Sequence, residues 1–251
     1  TITNFAETKE KLLNWVKRFS SFCFLDNHQY RIQPHAEECL LAAGEKRRIS
    51  VGTGAALEKL QAFIDEKKSW VIGHLGYDLK NEIEKLHSRN PDETGFPSLF
   101  FFEPETLIRL SPTEIYIEAD DPANIFQEIE DAVPEKPGPQ QQVSIRQRFS
   151  REEYLAVLGK LRQHILRGDC YEINFCQEFF ARNTTIDPVS VYKKLSAISP
   201  NPFSALYRTG DNWLICASPE RFLCKQGGHI LSQPIKGTSR RNQQDEEEDE
   251  V

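Results

Sequence analysis

Glu220 and Lys236 are the two residues of this 251-residue sequence whose types and spacing best suit covalent chemistry. Gly227-Gly228 stands midway between them, with apolar runs on either side. That is the form of a β-hairpin, whose two open ends lie next to each other. The acid and the amine are therefore expected to meet. The ordinary outcome of such a meeting is a surface ion pair of small energy. The reactive outcome is a lysine nucleophile with a proton-transferring carboxyl beside it. It requires a neutral amine, whereas a free lysine keeps its proton up to a pH of about 10.4. Burial lowers that value.

The elements that must position this pair are legible around it. Trp213-Leu214-Ile215-Cys216, Arg221-Phe222-Leu223-Cys224 and His229-Ile230-Leu231-Ser232 read as three successive strands. Upstream, Leu12, Trp15, Val16 and Phe19 recur at helical spacing within residues 5–19, and Leu57, Leu60, Phe63 and Ile64 do so within 55–68. Phe22-Cys23-Phe24-Leu25 and residues 38–43 and 70–77 read as strands, the glycines of the last marking close backbone approach. Residues 107–110 and 114–118 alternate about Ser111-Pro112-Thr113 as a hairpin does. Ser150-Arg151-Glu152-Glu153 has the form of a capping box. It opens a helix with Tyr154, Leu158, Leu161 and Ile165 on one stripe, stopped by Gly168. Strands are expected over 171–181, and Asp187-Pro188 opens another helix that buries Val191, Leu195 and Ile198. Helices alternate with runs of strands, an α+β pattern. The proline-rich stretch 134–143 reads as a linker between an N-terminal subdomain, 1–133, and a second part, 144–251.

Composition removes several classes of function. An apolar share of 39% with 16 Phe supplies a sizeable core and excludes disorder for most of the chain. A net charge of -7 without a basic stripe excludes nucleic acid and anionic membrane as partners. No apolar run approaches a membrane span, and the first residues lack the form of a signal peptide. The six Cys contain no Cys-x-x-Cys pair, so the chain reads as cytoplasmic with reduced thiols. The six His show no metal-ligand spacing, and His74 in its apolar strand reads as a satisfied core histidine. Met is absent throughout. The acidic run 245–250 reads as the solvated face of a starting helix, not as a metal site.

The order of several segments says more than any one of them. These are Gly168-Asp169-Cys170-Tyr171-Glu172-Ile173-Asn174-Phe175, Pro202-Phe203-Ser204-Ala205, Ser218-Pro219-Glu220-Arg221-Phe222 and Pro234-Ile235-Lys236-Gly237-Thr238. Gly76-Tyr77-Asp78-Leu79-Lys80-Asn81 and Phe96-Pro97-Ser98-Leu99 precede them. Together they resemble the chorismate-utilising enzymes over nearly the whole chain. Lys236 before Gly237-Thr238 is similar to the aminodeoxychorismate synthase (para-aminobenzoate synthase) component I branch, whereas anthranilate synthases typically carry Ala there.

The resemblance implies an anthranilate-synthase-like chorismate-binding fold, with antiparallel sheets face to face and helices outside. It implies that residues 144–251 are the first part of a catalytic core whose remainder lies past Val251. The activity implied is that of a transferase in para-aminobenzoate and folate biosynthesis. Lys236 attacks C2 of chorismate, Glu220 handles protons, and ammonia replaces the C4 hydroxyl. Gly237 and Thr238 hold a substrate carboxylate, Thr238 suiting equally well a turn hydrogen bond. The chorismate carboxylates raise the lysine's pKa, and Mg2+ on one of them offsets this, its ligands expected beyond Val251. Ammonia comes from solution or from a glutamine amidotransferase subunit, component II.

Asn27, Pro202, Phe203 and Ser204 match the place of a tryptophan-sized pocket in relatives. Phe24-Leu25-Asp26-Asn27 lacks the Ser found there, and Phe203 suits plain core packing. Isochorismate and salicylate synthases use a lysine base near the position of Glu172, and no Lys lies between Gly168 and Arg182. Glu172 reads as structural. Two other readings stand beside the first: an anthranilate synthase component I that carries Lys, and a truncated, non-catalytic amidotransferase-binding module.

Overall fold

The computed structural model describes residues 2–31, 38–88, 90–133 and 143–233. The first half runs α1 Phe5–Trp15, β1 Ser21–Asp26, β2 Cys39–Ala43, β3 Arg47–Val51, α2 Ala56–Glu66 and β4 Ile72–Leu75. It continues with α3 Lys80–Ile83, β5 Leu99–Glu103, β6 Thr106–Leu110, β7 Ile115–Glu118 and α4 Pro122–Glu130. Then follow β8 Arg146–Gln147, α5 Arg151–Arg167, β9 Phe179–Phe180 and α6 Pro188–Ile198. The last strands are β10 Phe203–Thr209, β11 Asn212–Ser218, β12 Arg221–Gln226 and β13 His229–Gln233. Two compact units result: Thr1–Glu135 with Pro188–Val251, and Lys136–Asp187. Residues from both sides of the 134–143 stretch thus share one unit, and 134–142 lie outside the described residues.

In the larger unit, an antiparallel sheet has the order β11-β10-β1-β2-β6-β7, and a smaller one the order β3-β5-β4. Strand period two sorts their side chains. Phe22 and Phe24 of β1, Leu41 of β2, Ile108 and Leu110 of β6 and Leu206 of β10 pack with α1, α4 and α6. The helices contribute Leu12, Trp15, Ile129 and Tyr192 to that layer. The alternate residues Cys23, Ala42, Leu107 and Tyr207 pack instead on Phe100 and Phe102 of β5. Leu99 of β5 turns the other way, toward Val51, Leu79 and Ala56 of α2. The order of layers is helices, large sheet, small sheet, helix. The expected face-to-face sheets with outer helices are what forms. Because β1 is covered on both faces, its sequence is a continuous apolar run and not an alternation.

Local chemistry sets the element ends. The α5 capping box is complete in both directions, and Gly168 ends the helix at φ 82. Helix α2 has no side-chain cap of its own, and Ala55 before it is left-handed. Glu82 of α3 takes over, accepting the N–H of Gly54 at 2.5 Å and of Ala56 at 2.9 Å. In β4 a Cβ on Gly73 would collide with the carbonyl oxygen of Phe100, the close approach foreseen there. His74 is satisfied as expected, Nε2 lying 3.0 Å from the Pro97 carbonyl and Nδ1 3.0 Å from the Tyr207 hydroxyl. A carbonyl only accepts, so Nε2 carries the hydrogen and Tyr207 donates to Nδ1. Burial holds His74 below its ordinary pKa.

The expected helix α5 forms, with no buried residue and with Leu158 and Ile165 of its stripe exposed. Two expectations are corrected. Over 171–181 only Phe179–Phe180 forms a strand, against Arg146–Gln147, and Tyr171 is exposed. A suitable sequence makes a strand only where a ladder partner is at hand. Helix α6 buries Val189 and Tyr192, while Val191 and Ile198 point to solvent. The polar Tyr192 side chain, which sequence hydrophobicity passes over, fills the space beside Phe24. Helix α4 was not anticipated, although Asp121-Pro122 opens it as Asp187-Pro188 opens α6, with the Asp121 carboxylate accepting the N–H of Asn124. Among the described residues no helix is long and apolar enough to cross a membrane. All six cysteines are free.

Candidate functional site

The hairpin expected around Gly227-Gly228 forms, with Gln226 paired to His229 and Gly227 at φ 59. Its ladder is broken once. Leu223 pairs with Ser232 and Arg221 with Gln233, so Phe222 is left over as a bulge and its side chain is exposed. Bulges turn side chains relative to their strand and recur beside active sites. The Ser218 hydroxyl accepts the N–H of Glu220 at 3.2 Å and donates to the Glu220 carbonyl at 3.0 Å. Ser218-Pro219-Glu220 is therefore a tight turn that delivers Glu220 to the open end of the hairpin, where the sequence placed it. Lys236, Gly237 and Thr238 lie outside the described residues.

The same end of the hairpin meets the start of β10. Phe203 pairs with Ser218, so the first residue of β10 and the last of β11 stand together. The Arg221 guanidinium sits over the Phe203 ring, 5.4 Å from its centroid. Its Nε and Nη2 both donate to the Gln233 side-chain oxygen, at 2.8 and 2.5 Å. Arg221 and Gln233 escaped the sequence reading, because only the register of the hairpin brings them face to face.

The second candidate region also comes together. Ser204 pairs with Asp26, the residue before Asn27, so the segment at 202–204 flanks the end of β1. Pro202 and Ser204 are buried, and the Ser204 hydroxyl donates to the Asn201 carbonyl at 2.8 Å. The Asn27 side chain accepts the N–H of Gln29 at 2.8 Å.

Asp26, not Asn27, is the chemically dense residue here. Its side chain is fully buried and paired with the Lys9 ammonium. The Tyr192 hydroxyl lies 3.3 Å from it, the Cys39 thiol 3.6 Å, and the His28 N–H 3.0 Å. Burial, and then the Asp26 charge, pushes the Tyr192 hydroxyl and the Cys39 thiol far above their ordinary pKa values. Burial holds His28 below its own. A buried carboxylate so supplied with donors is a fixed structural charge. Its signal in the sequence was an acid closing an apolar strand.

Among the described residues no three His, Cys, Asp or Glu side chains form a group that fits a metal ion.

The family model for chorismate binding enzymes matches residues 17–251. Anthranilate synthase component 1 of Thermus thermophilus is 30% identical over 194 residues, covering 71% of this chain and 41% of that protein. Aminodeoxychorismate synthase component 1 of Bacillus subtilis is 24% identical over 241 residues, covering 86% of this chain and 49% of that protein. The chain thus spans less than half the length of these two relatives. The structure is similar to that of anthranilate synthase component I from Streptococcus pneumoniae, with a TM-score of 0.66 and 19% identity, over 80% of this chain and 55% of that one. That likeness carries the fold.

Proposed function

This chain belongs to the chorismate binding enzyme family, and from that membership we propose that it aminates chorismate to 4-amino-4-deoxychorismate, the step toward para-aminobenzoate and folate. One observation carries the choice of branch: the residue before Gly237-Thr238 is Lys236, an amine that can become a nucleophile. The turn that delivers Glu220 to the open end of the β12–β13 hairpin supports it.

In this reading Lys236 Nζ bonds to C2 of chorismate, the two ring double bonds shift around the ring through C1, C6 and C5, and the C4–oxygen bond breaks. Glu220 gives its proton to the departing hydroxyl, which leaves as water. Ammonia then adds at C4, both double bonds shift back, and the bond from Nζ to C2 breaks. Glu220 takes up the proton released by the incoming nitrogen. Two displacements replace one that is harder. Gly237 and Thr238 hold a chorismate carboxylate, and a glutamine amidotransferase partner supplies the ammonia. When bound, magnesium would neutralise a chorismate carboxylate. Asn27, Pro202, Phe203 and Ser204 keep the place of a tryptophan-sized pocket wall in this reading.

A second reading, anthranilate synthase component I, is favoured by the higher identity of the Thermus thermophilus relative, 30% against 24% for the Bacillus subtilis one. The two differ in products. The full-length protein, given chorismate and ammonium, is expected to form 4-amino-4-deoxychorismate without pyruvate. Anthranilate released together with pyruvate would establish the second reading. Chorismate without ammonia is expected to leave a covalent adduct on Lys236, seen by mass spectrometry of the intact protein and lost in Lys236→Ala.

A further inference from the structure

We infer that Arg221 is a positioning residue for the reaction: it clamps the strand that leads to Lys236 against the start of β10. The inference deepens the reading just given and rests on it. Three contacts carry it. Arg221 opens β12 and is paired across the hairpin with Gln233, the last residue of β13. Two of its nitrogens converge on one oxygen of Gln233, at 2.8 and 2.5 Å, which fixes the direction of that amide. The guanidinium carbon lies over Phe203, 5.4 Å from the ring centroid. A planar cation with several donors can stack and hydrogen-bond at once, which an ammonium cannot do.

The placement gives these contacts their meaning. Gln233 stands three residues before Lys236, and Arg221 directly follows Glu220. One guanidinium therefore touches both strands of the hairpin at the end where acid and amine are expected. Its anchor, Phe203, belongs to a strand that is paired on both sides within the large sheet. The bulge at Phe222 matters for the same reason. It shifts the ladder by one residue and so sets Arg221 opposite Gln233. A two-stranded hairpin has little stability of its own. Arg221 ties this one to a rigid neighbour, where misplacement of a reacting group by about 1 Å costs on the order of a hundredfold in rate.

The test uses the full-length protein and the variants Arg221→Lys, Arg221→Gln and Gln233→Ala, together with the double variant Arg221→Gln/Gln233→Ala. The readouts are the rate of Lys236 adduct formation, kcat and KM for chorismate with ammonium, and the melting temperature. Each variant is expected to slow adduct formation and kcat by about ten- to a hundredfold, with KM changed less than about twofold, because substrate contacts remain. The double variant is expected to be no slower than the worse single one, since both changes cut the same tie. Arg221→Lys keeps the charge and is expected to recover less than half of the loss. Wild-type protein that forms the adduct while all variants form it at the same rate would overturn the positioning role alone. So would losses that multiply in the double variant, or losses that follow melting temperature. Wild-type protein that forms no adduct would overturn the reading of Lys236, and this inference with it.

Discussion

Strands β1 and β12 make opposite use of one residue type. Phe22 and Phe24 of β1 are wholly buried, covered by helices on one side and paired to β10 and β2 along both edges. Phe222 of β12 is 84% exposed, and its strand pairs only with β13 among the described residues. Apolar surface removed from water is the chief source of folding free energy. The layered sheets therefore hold the molecule, while the hairpin that carries the proposed chemistry is held by a turn, a clamp and one ladder. Stability and reactivity sit on different strands, and substitutions can separate them.

The largest expected effect breaks the stable side of that contrast. Phe24→Ala is expected to lower unfolding free energy by about 3–5 kcal/mol, as for other buried Phe truncations, measured by urea denaturation. A loss under about 1 kcal/mol would mean that β1 is not the keystone its burial suggests.

Next comes Glu103, on the small sheet. Lys67, and then Arg47, hold its carboxyl down to about 2 from an ordinary value of 4.5. Its pKa is lower folded than unfolded, so the stabilisation is complete above the ordinary value and vanishes as pH falls through about 2. The urea midpoints of wild type and Glu103→Gln are expected to differ at neutral pH and to draw together between pH 4.5 and 2. A constant gap would show that the ion pairs do not supply the difference.

Glu82→Ala, which uncovers the first N–H groups of α2, is expected to cost about 1 kcal/mol, the usual worth of a cap. Faster hydrogen exchange at Gly54 and Ala56 would accompany it. The smallest effect is on the other side of the contrast. Phe222→Ser is expected to change stability by less than about 0.5 kcal/mol, as exposed positions do. A cost like that of Phe24→Ala would sharpen the picture differently, by showing that the hairpin is covered in the folded protein.

The sequence disclosed most of the scaffold and only part of the site. Phe22-Cys23-Phe24-Leu25 announced a strand, and Ser150 with Glu153 announced a helix start, because those signals are local. Strand β3 escaped because Arg47 and Arg48 contradict burial, and the Arg47 charge is answered by Glu103 and Glu66 from elsewhere in the chain. Helix α6 was misjudged by face, since Tyr192 owes its burial to Phe24 and Asp26, both far away in sequence. At the site, Gly227-Gly228 and Ser218-Pro219 marked the hairpin and its turn. The Phe222 bulge left no local mark, because a bulge is a property of two strands together. Without it the facing of Arg221 and Gln233 could not be read.

The order of the large sheet has a consequence for how the protein is made. Strand β1, residues 21–26, has its outer neighbour in β10, residues 203–209. On the ribosome, β1 emerges long before the strand that completes it. Its open edge of backbone N–H and C=O groups, with Phe22 and Phe24 on one face, must wait unpaired while the intervening chain is translated. Such an edge invites pairing with another nascent chain. Slow translation before residue 203, or a chain released there, is expected to send this protein into aggregates, and a chaperone that shields β1 until Thr209 has emerged is expected to raise its yield.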